Sequence, residues 1–143
     1  MVESQARARV VAEAMSWLGT PYHHMARVKG AGVDCAQLLA AVYHAAGLVA
    51  EVPLEYYPPD WHLHRDIERY LAAVLRHARE TEAPLPGDVV LYRWGRCLAH
   101  GAIVVAPGWP RIVHALIDAG GVILDRGDGG RLAGRERHFY TLW

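Results

Sequence analysis

Cys35 lies in Gly-Val-Asp-Cys-Ala-Gln-Leu-Leu, where a helix is expected to begin. A thiol at a helix start meets unpaired backbone N–H groups and the positive end of the helix dipole. Both favour negative charge, so the position predicts a lowered thiol pKa and a thiolate nucleophile. The same amides suit a developing oxyanion. The competing reading is a small buried cysteine packing at a helix start. His100, in Leu-Ala-His-Gly-Ala-Ile-Val-Val, opens an apolar strand, and Gly101 is read as leaving room beside the imidazole. An imidazole can take a thiol proton near neutral pH and return it to a leaving amine. His114, in Arg-Ile-Val-His-Ala, falls on the next strand, with Pro107-Gly108 about midway. A hairpin turning there brings the two histidines together, and His114 then orients His100. The three residues read as a cysteine hydrolase: Cys35 the nucleophile, His100 the base, His114 its partner.

Other groupings compete with this one. His100 and His114 also read as a metal pair, with Cys97 or Asp118 as third ligand. Cys97, His100 and His114 do not make a tight zinc pattern, and a zinc site would leave Cys35 unexplained. No metal and no cofactor is therefore expected. Cys97 is a rival nucleophile by its nearness to His100. However, Trp94-Gly95-Arg96 before it reads as a turn, with no helix amides behind the thiol. His23 and His24 follow Pro21-Tyr22 and are candidates for lining a cleft beside Cys35. His44, His62, His64, His77 and His138 read as surface residues, and Trp61, Trp94 and Trp109 as packing.

The elements that must position these groups follow from periodicity and breakers. Ser4 is read as an N-cap, followed by apolar residues at Val10, Val11, Ala14, Met15, Trp17 and Leu18 at helical spacing, with Gly19 as the stop. Residues 22–33 read as a loop broken by Gly30 and Gly32. A second helix begins near Asp34 or Cys35, buries Leu38, Leu39, Val42 and Tyr43, and ends at Gly47. Residues 49–59 are Pro-rich and irregular. A third helix is expected over residues 62–78, burying Ile67, Tyr70, Leu71, Val74 and Leu75. Beyond Pro84-Leu85-Pro86-Gly87 the pattern changes to strands, expected at residues 88–93, 99–105, 111–116, 122–124 and 137–143. Helices followed by short strands and tight turns predict an α+β fold, with N-terminal helices packed on an antiparallel sheet.

Composition narrows the field. The chain has 143 residues, 52% of them hydrophobic, which fits one domain over residues 1–143 with a real core. Formal net charge is zero, and there is no basic block, so nucleic-acid binding by a broad basic face is not expected. Two cysteines could form one disulfide, but a secreted disulfide scaffold usually carries more. No run is apolar and long enough to span a bilayer, and residues 1–19 lack a secretory pattern. The expectation is a protein made in the cytoplasm that needs a carrier if it works elsewhere.

Five pieces, in order, then carry a resemblance. They are Trp-Leu-Gly-Thr-Pro-Tyr from Trp17, Asp34-Cys35, Leu-Pro-Gly-Asp-Val-Val from Leu85, His-Gly-Ala-Ile-Val-Val from His100, and Ile-Val-His-Ala from Ile112. The chain resembles the NlpC family of papain-like cell-wall cysteine peptidases over nearly its whole length. Around Pro59-Asp60-Trp61 it is similar to a branch found among phages, prophages and gene-transfer particles. The resemblance implies a papain-like NlpC fold and a peptidoglycan peptide as substrate, cut between γ-D-glutamate and diaminopimelate. It implies Cys35, His100 and His114 as the catalytic set, with the Cys35 amide in the oxyanion hole. Tyr22 matches a tyrosine facing the nucleophile, and Asp34 an aspartate that helps bind a free amine. His24 joins them as a substrate-binding candidate. Phage tail proteins become possible partners, and a phage-like particle the carrier to the periplasm and cell wall.

The sequence also departs from the family pattern. Ala36 and Gln37 replace the usual Ser and Gly, and His23-His24-Met25-Ala26 replaces a Trp-Gly-Gly stretch. Two alternatives stay open: a non-catalytic tail-assembly module, and a thiol amidase or acyltransferase acting on a lipid or small molecule.

Overall fold

Among the described residues, the apolar periodicities translate into three α-helices packed on one face of an antiparallel sheet. The computed structural model describes residues 2–53 and 63–143, with side chains of residues 63–66 also outside the description. Among the described residues the order is α1 (Glu3–Ser16), β1 (Arg27–Val28), β2 (Gly32–Val33), α2 (Cys35–Ala45) and α3 (Leu63–Val74). There follow β3 (Arg79–Thr81), β4 (Val89–Trp94), β5 (Cys97–Val104), β6 (Arg111–Leu116), β7 (Gly121–Arg126) and β8 (Arg137–Thr141). The large sheet runs β3-β8-β4-β5-β6-β7 and every pairing is antiparallel. The expected α+β architecture is the one observed.

α2 is the central helix. It buries Leu38, Leu39, Val42 and Tyr43 completely. Gly47 follows it with φ +81°, a left-handed position that suits a residue without Cβ. Gly101 matters to this packing in a way that differs from the expectation. A Cβ there would stand 3.0 Å from both Leu39 and Leu71. The glycine makes room for α2 and α3 on β5, not for the imidazole beside it.

The first and third helices differ at their ends. α1 begins at Glu3 with Val2 at the cap and no side-chain cap, so Ser4 lies inside the helix. Its buried side is Ala6, Val10, Ala14 and Trp17, while Met15 and Leu18 are each 38% exposed. α3 stops at Val74, not near residue 78, and Arg79–Thr81 turns into an edge strand on β8. Those residues carry no alternating pattern of their own, and pairing with a strand some sixty positions away decides their conformation. The loop expected over residues 22–33 holds the small β1-β2 ladder. Residues 54–62, with Pro59-Asp60-Trp61 and His62, lie outside the described residues.

The Gly120-Gly121 turn serves the N-terminal motif. Thr20 and Pro21 lie across the start of β7, with Val122 N–H donating to Thr20 O at 2.9 Å and Tyr22 N–H to Gly120 O at 2.8 Å. A Cβ on Gly121 would stand 2.4 Å from Thr20 O, so a larger residue would push this crossing apart.

Candidate active site

Cys35 is the first residue of α2, and Asp34 is its cap. Asp34 Oδ1 accepts from Gln37 N–H at 2.9 Å, and Oδ2 accepts from Met25 N–H at 2.9 Å. The carboxylate is fully buried. It fixes the start of the helix and ties down the loop before it. Met25 sits in the left-handed region at φ 62°, which lets its N–H reach that oxygen. Asp34 does not line the cavity at Cys35, and neither does His24, which is half-buried.

Gln37, one of the departures from the family pattern, has a charged partner just after the other departing stretch, residues 23–26. Gln37 Oε1 accepts from Arg27 Nε at 2.8 Å and from Arg27 Nη2 at 2.5 Å. Gln37 is fully buried, and the polar side chain on α2 is matched by the guanidinium of Arg27 on β1.

A break in the sheet's regularity positions the thiol's other neighbour. In the β4-β5 ladder Tyr92 pairs with His100 and Arg93 with Leu98, which leaves Ala99 as an extra, bulged residue. Bulges redirect the chain beside functional sites. The Cys35 thiol donates to the Ala99 carbonyl at 3.7 Å. A cavity of about 170 Å³ opens at this point, lined by Tyr22, Cys35, Trp94, Ala99, His100 and Ile117 among others. Nucleophile and base candidates therefore share one cavity. A larger hollow of about 610 Å³ lies between residues 48–53 and α3, and Cys35 is not part of its wall.

Behind His100 runs a line of polar groups. His100 Nε2 stands 2.8 Å from His114 Nδ1, and His114 Nε2 stands 2.9 Å from Asp125 Oδ2. The hairpin expectation holds, with a refinement. Ile103 pairs with Val113, so the histidines are diagonal neighbours, not directly opposite. Asp125 is diagonal in the same sense, since His114 pairs with Ile123. Sequence reasoning missed Asp125. Its signal is weak: a single acid two positions past the residue facing His114, which needs the β6-β7 register to be seen.

Electrostatics overturn one expectation. Burial pushes the Cys35 thiol above the ordinary cysteine value, and the neighbouring Asp34 charge adds to this. Backbone amides of Gly101, Ala36 and Cys35 oppose it. The helix start alone predicts a lowered value, but a thiol only 3% exposed loses more from desolvation than the amides return. Burial also lowers His100 to about 3, with His114 and Arg135 acting in the same direction. His114 is lowered by burial against the hydrogen bond and charge of Asp125. Tyr22 is raised by burial, then by Cys35 and Asp34, which puts its hydroxyl in their company. Burial thus disfavours the charged form of the thiol and of the imidazole alike.

The imidazole is held by rings as well. Trp94 lies 5.1 Å from His100 between centroids, and the Arg135 guanidinium lies 3.6 Å over Trp94. Cys97 is half-buried, and both thiols are free. Among the described residues no group of three or more His, Cys, Asp or Glu side chains is placed to hold a metal.

No protein-family model and no curated protein sequence matches this chain. Solved structures do. The NlpC/p60 domain of the peptidoglycan hydrolase SagA is 19% identical, with a TM-score of 0.61 over 92% of this chain and 96% of that one. The P60 domain of an antigen from M. avium subspecies paratuberculosis is 18% identical, with a TM-score of 0.64 over 97% and 96%. NlpC2 from Trichomonas vaginalis is 14% identical, with a TM-score of 0.69 over 95% of this chain and 48% of that protein. A helix-start cysteine beside a histidine-bearing antiparallel sheet is thus set in a chain whose fold is that of the NlpC/p60 domains.

Proposed function

We propose that this chain is a cysteine hydrolase that cuts peptidoglycan stem peptides. The observation that carries this reading is the single cavity shared by Cys35 and His100, with His114 2.8 Å behind the imidazole. The fold, shared with a domain of a peptidoglycan hydrolase, supports the substrate class.

In this reading His100 takes the thiol proton as Sγ attacks the peptide carbonyl carbon. Because burial disfavours both charged forms, proton transfer accompanies attack in this reading. The carbonyl oxygen becomes an oxyanion held by the Cys35 amide. The C–N bond then breaks and His100 returns the proton to the leaving amine. Water, deprotonated by His100, hydrolyses the thioester, releasing the acid and restoring the thiol. The bond is the one between γ-D-glutamate and diaminopimelate. Tyr22, on the cavity wall, is the substrate-facing hydroxyl, and Asp34 serves by fixing the helix start. The carrier is a phage tail or related particle, a reading that rests on the sequence likeness around Pro59-Asp60-Trp61.

Purified protein should release soluble fragments from Gram-negative sacculi, analysed by mass. Cys35→Ala should lose that release by about 10³-fold or more, while Cys97→Ala keeps it. A Cys35→Ala protein as active as the parent would end the proposal.

A further inference from the structure

We propose that Asp125 is a positioning residue that, acting through His114, decides which nitrogen of His100 is the base. This rests on the role of His100 proposed above and deepens it.

The number of protons on the two imidazoles fixes their arrangement. Asp125 Oδ2 lies 2.9 Å from His114 Nε2. A carboxylate offers only acceptors, so His114 carries a proton on Nε2. Burial holds both imidazoles below their ordinary value, so near neutral pH each has one N–H. With its proton on Nε2, His114 presents Nδ1 as a bare acceptor. His100 Nε2, 2.8 Å away, must then donate to it. The His100 proton is thereby placed on Nε2, and its Nδ1 keeps the lone pair. That lone pair is the one able to receive the thiol proton.

Remove the acceptor at position 125 and a second arrangement opens. His114 can hold its proton on Nδ1 and donate to His100 Nε2. The His100 proton then sits on Nδ1, and no lone pair is left for the thiol. Both arrangements keep one hydrogen bond between the rings, so that bond cannot choose between them. The acceptor at 125 chooses. The Asp125 carboxylate is itself held in place. Its Oδ1 accepts from Arg126 N–H at 2.8 Å, and β6-β7 pairing sets the residue opposite Ile112. Its side chain is 34% exposed while His114 is fully buried, so it closes the line of imidazoles at the solvent side.

Long-range proton–nitrogen NMR on ¹⁵N-labelled protein reads the tautomers directly. The expected spectrum of the parent shows His100 and His114 both protonated on Nε2. His114 protonated on Nδ1 would overturn the proposal before any variant is made. Asp125→Leu removes the acceptor; a population of His114 protonated on Nδ1 should appear. On a soluble stem-peptide substrate kcat should fall about 10- to 100-fold with KM changed less than about threefold. Asp125→Asn keeps an amide oxygen able to accept, so it should preserve the tautomers and most of kcat. A merely structural role predicts lowered melting temperatures in both variants with unchanged nitrogen shifts, and that result would sink the idea. Should the leucine variant fail to fold, the parent spectrum and the asparagine variant still decide. Expected tautomers in a parent that cleaves nothing would support the relay and overturn the hydrolase reading.

Discussion

Two buried polar clusters sit at opposite ends of the β4-β5 ladder. Near the start of β4, Arg7 of α1 donates to Asp88 Oδ1 at 2.9 Å, to Pro86 O at 3.0 Å and to Thr141 Oγ1 at 3.1 Å, and lies 4.2 Å over the Trp143 ring. Asp88 Oδ2 accepts from Leu85 N–H, and the Tyr43 hydroxyl donates to Gly87 O. This cluster is charged, and it ties α1, α2, β4 and the C-terminus together. At the other end, Cys35 and His100 line one cavity, His100, His114 and Asp125 follow one another, and burial disfavours the charged forms of the thiol and of both imidazoles. The first cluster is a closed set of fixed partners. In the second, the proposed reaction needs the thiol proton, held on the Ala99 carbonyl at 3.7 Å, to pass to His100. Burial by itself therefore does not mark a catalytic group. A buried group marks a reactive site when its proton can still move.

Mutation should separate the two clusters, one answering in turnover and the other in stability. The largest expected effect is on activity. His100→Ala should lower kcat/KM about 10³-fold, measured on soluble stem peptide, while the urea midpoint at pH 7 moves less than it does in Asp88→Ala. Asp88→Ala should do the reverse. Among the described residues it leaves Arg7, with a side chain only 12% exposed, paired only with the exposed Glu3, whose Oε2 accepts from Arg7 Nε at 2.9 Å, and should cost about 1.5–3 kcal/mol in urea unfolding. Its folded fraction should turn over at the parent rate. An Asp88→Ala protein of parental stability would remove the anchoring role.

These clusters were unequally legible in the sequence. Cys35 could be found because a helix start needs local signals, and Asp34 gives one. His100 and His114 could be paired because a turn lies between them. Arg7 and Asp88 are far apart in the chain, and nothing local joins them; Leu-Pro-Gly-Asp reads as a boundary, and its partner on α1 appears only with the fold. Asp125 was missed because it needs the register of a third strand. The thiol's pKa direction was misread because the helix dipole is a local property, whereas the burial that outweighs it comes from α3, β5 and the Tyr22 loop closing over Cys35. The same limit explains Gly101, whose occupied side belongs to Leu39 and Leu71.

Acid should weaken the histidine end of the ladder in a defined window. His100 and His114 have folded values below the unfolded imidazole value near 6.5. As pH falls through that value the unfolded chain binds protons that the folded chain refuses. Their contribution is fully present above about pH 6.5 and is lost progressively towards about 3. Unfolding free energy should drop by about 1–3 kcal/mol per pH unit near pH 5, followed by urea titration. Replacing His100 with Asn should roughly halve the slope. An unchanged slope would mean that the pair is already protonated in the folded state.

Tyr43→Phe probes the anchor at a single bond. The hydroxyl donates to Gly87 O at 2.6 Å from full burial, and burial together with the Asp88 charge keeps it protonated. Losing it leaves a buried carbonyl with one fewer donor. The expected cost is about 1–2 kcal/mol with no change in activity. A loss of activity would mean that the two ends of the ladder are coupled through α2.

The smallest effect belongs to a third cluster, which serves as a control for both. His138 on β8 lies 2.8 Å from Glu80 on β3 and 2.8 Å from Glu136, and Glu136 also accepts from Arg93 at 3.0 Å. The hydrogen bond to Glu136, and then that to Glu80, raise the histidine, opposite to His100. A raised folded value gives stability that is complete below about pH 6.5 and disappears as pH rises through the folded value. The partners are largely exposed, and solvent screens them, so His138→Gln should shift the melting temperature by only about a degree at pH 6 and by less at pH 9. Salt should erase even that. His138 has more ionic partners than His100, yet its loss should barely register in stability or turnover. A large effect of His138→Gln would show that the number of charged partners, and not burial, governs which histidines this fold depends on.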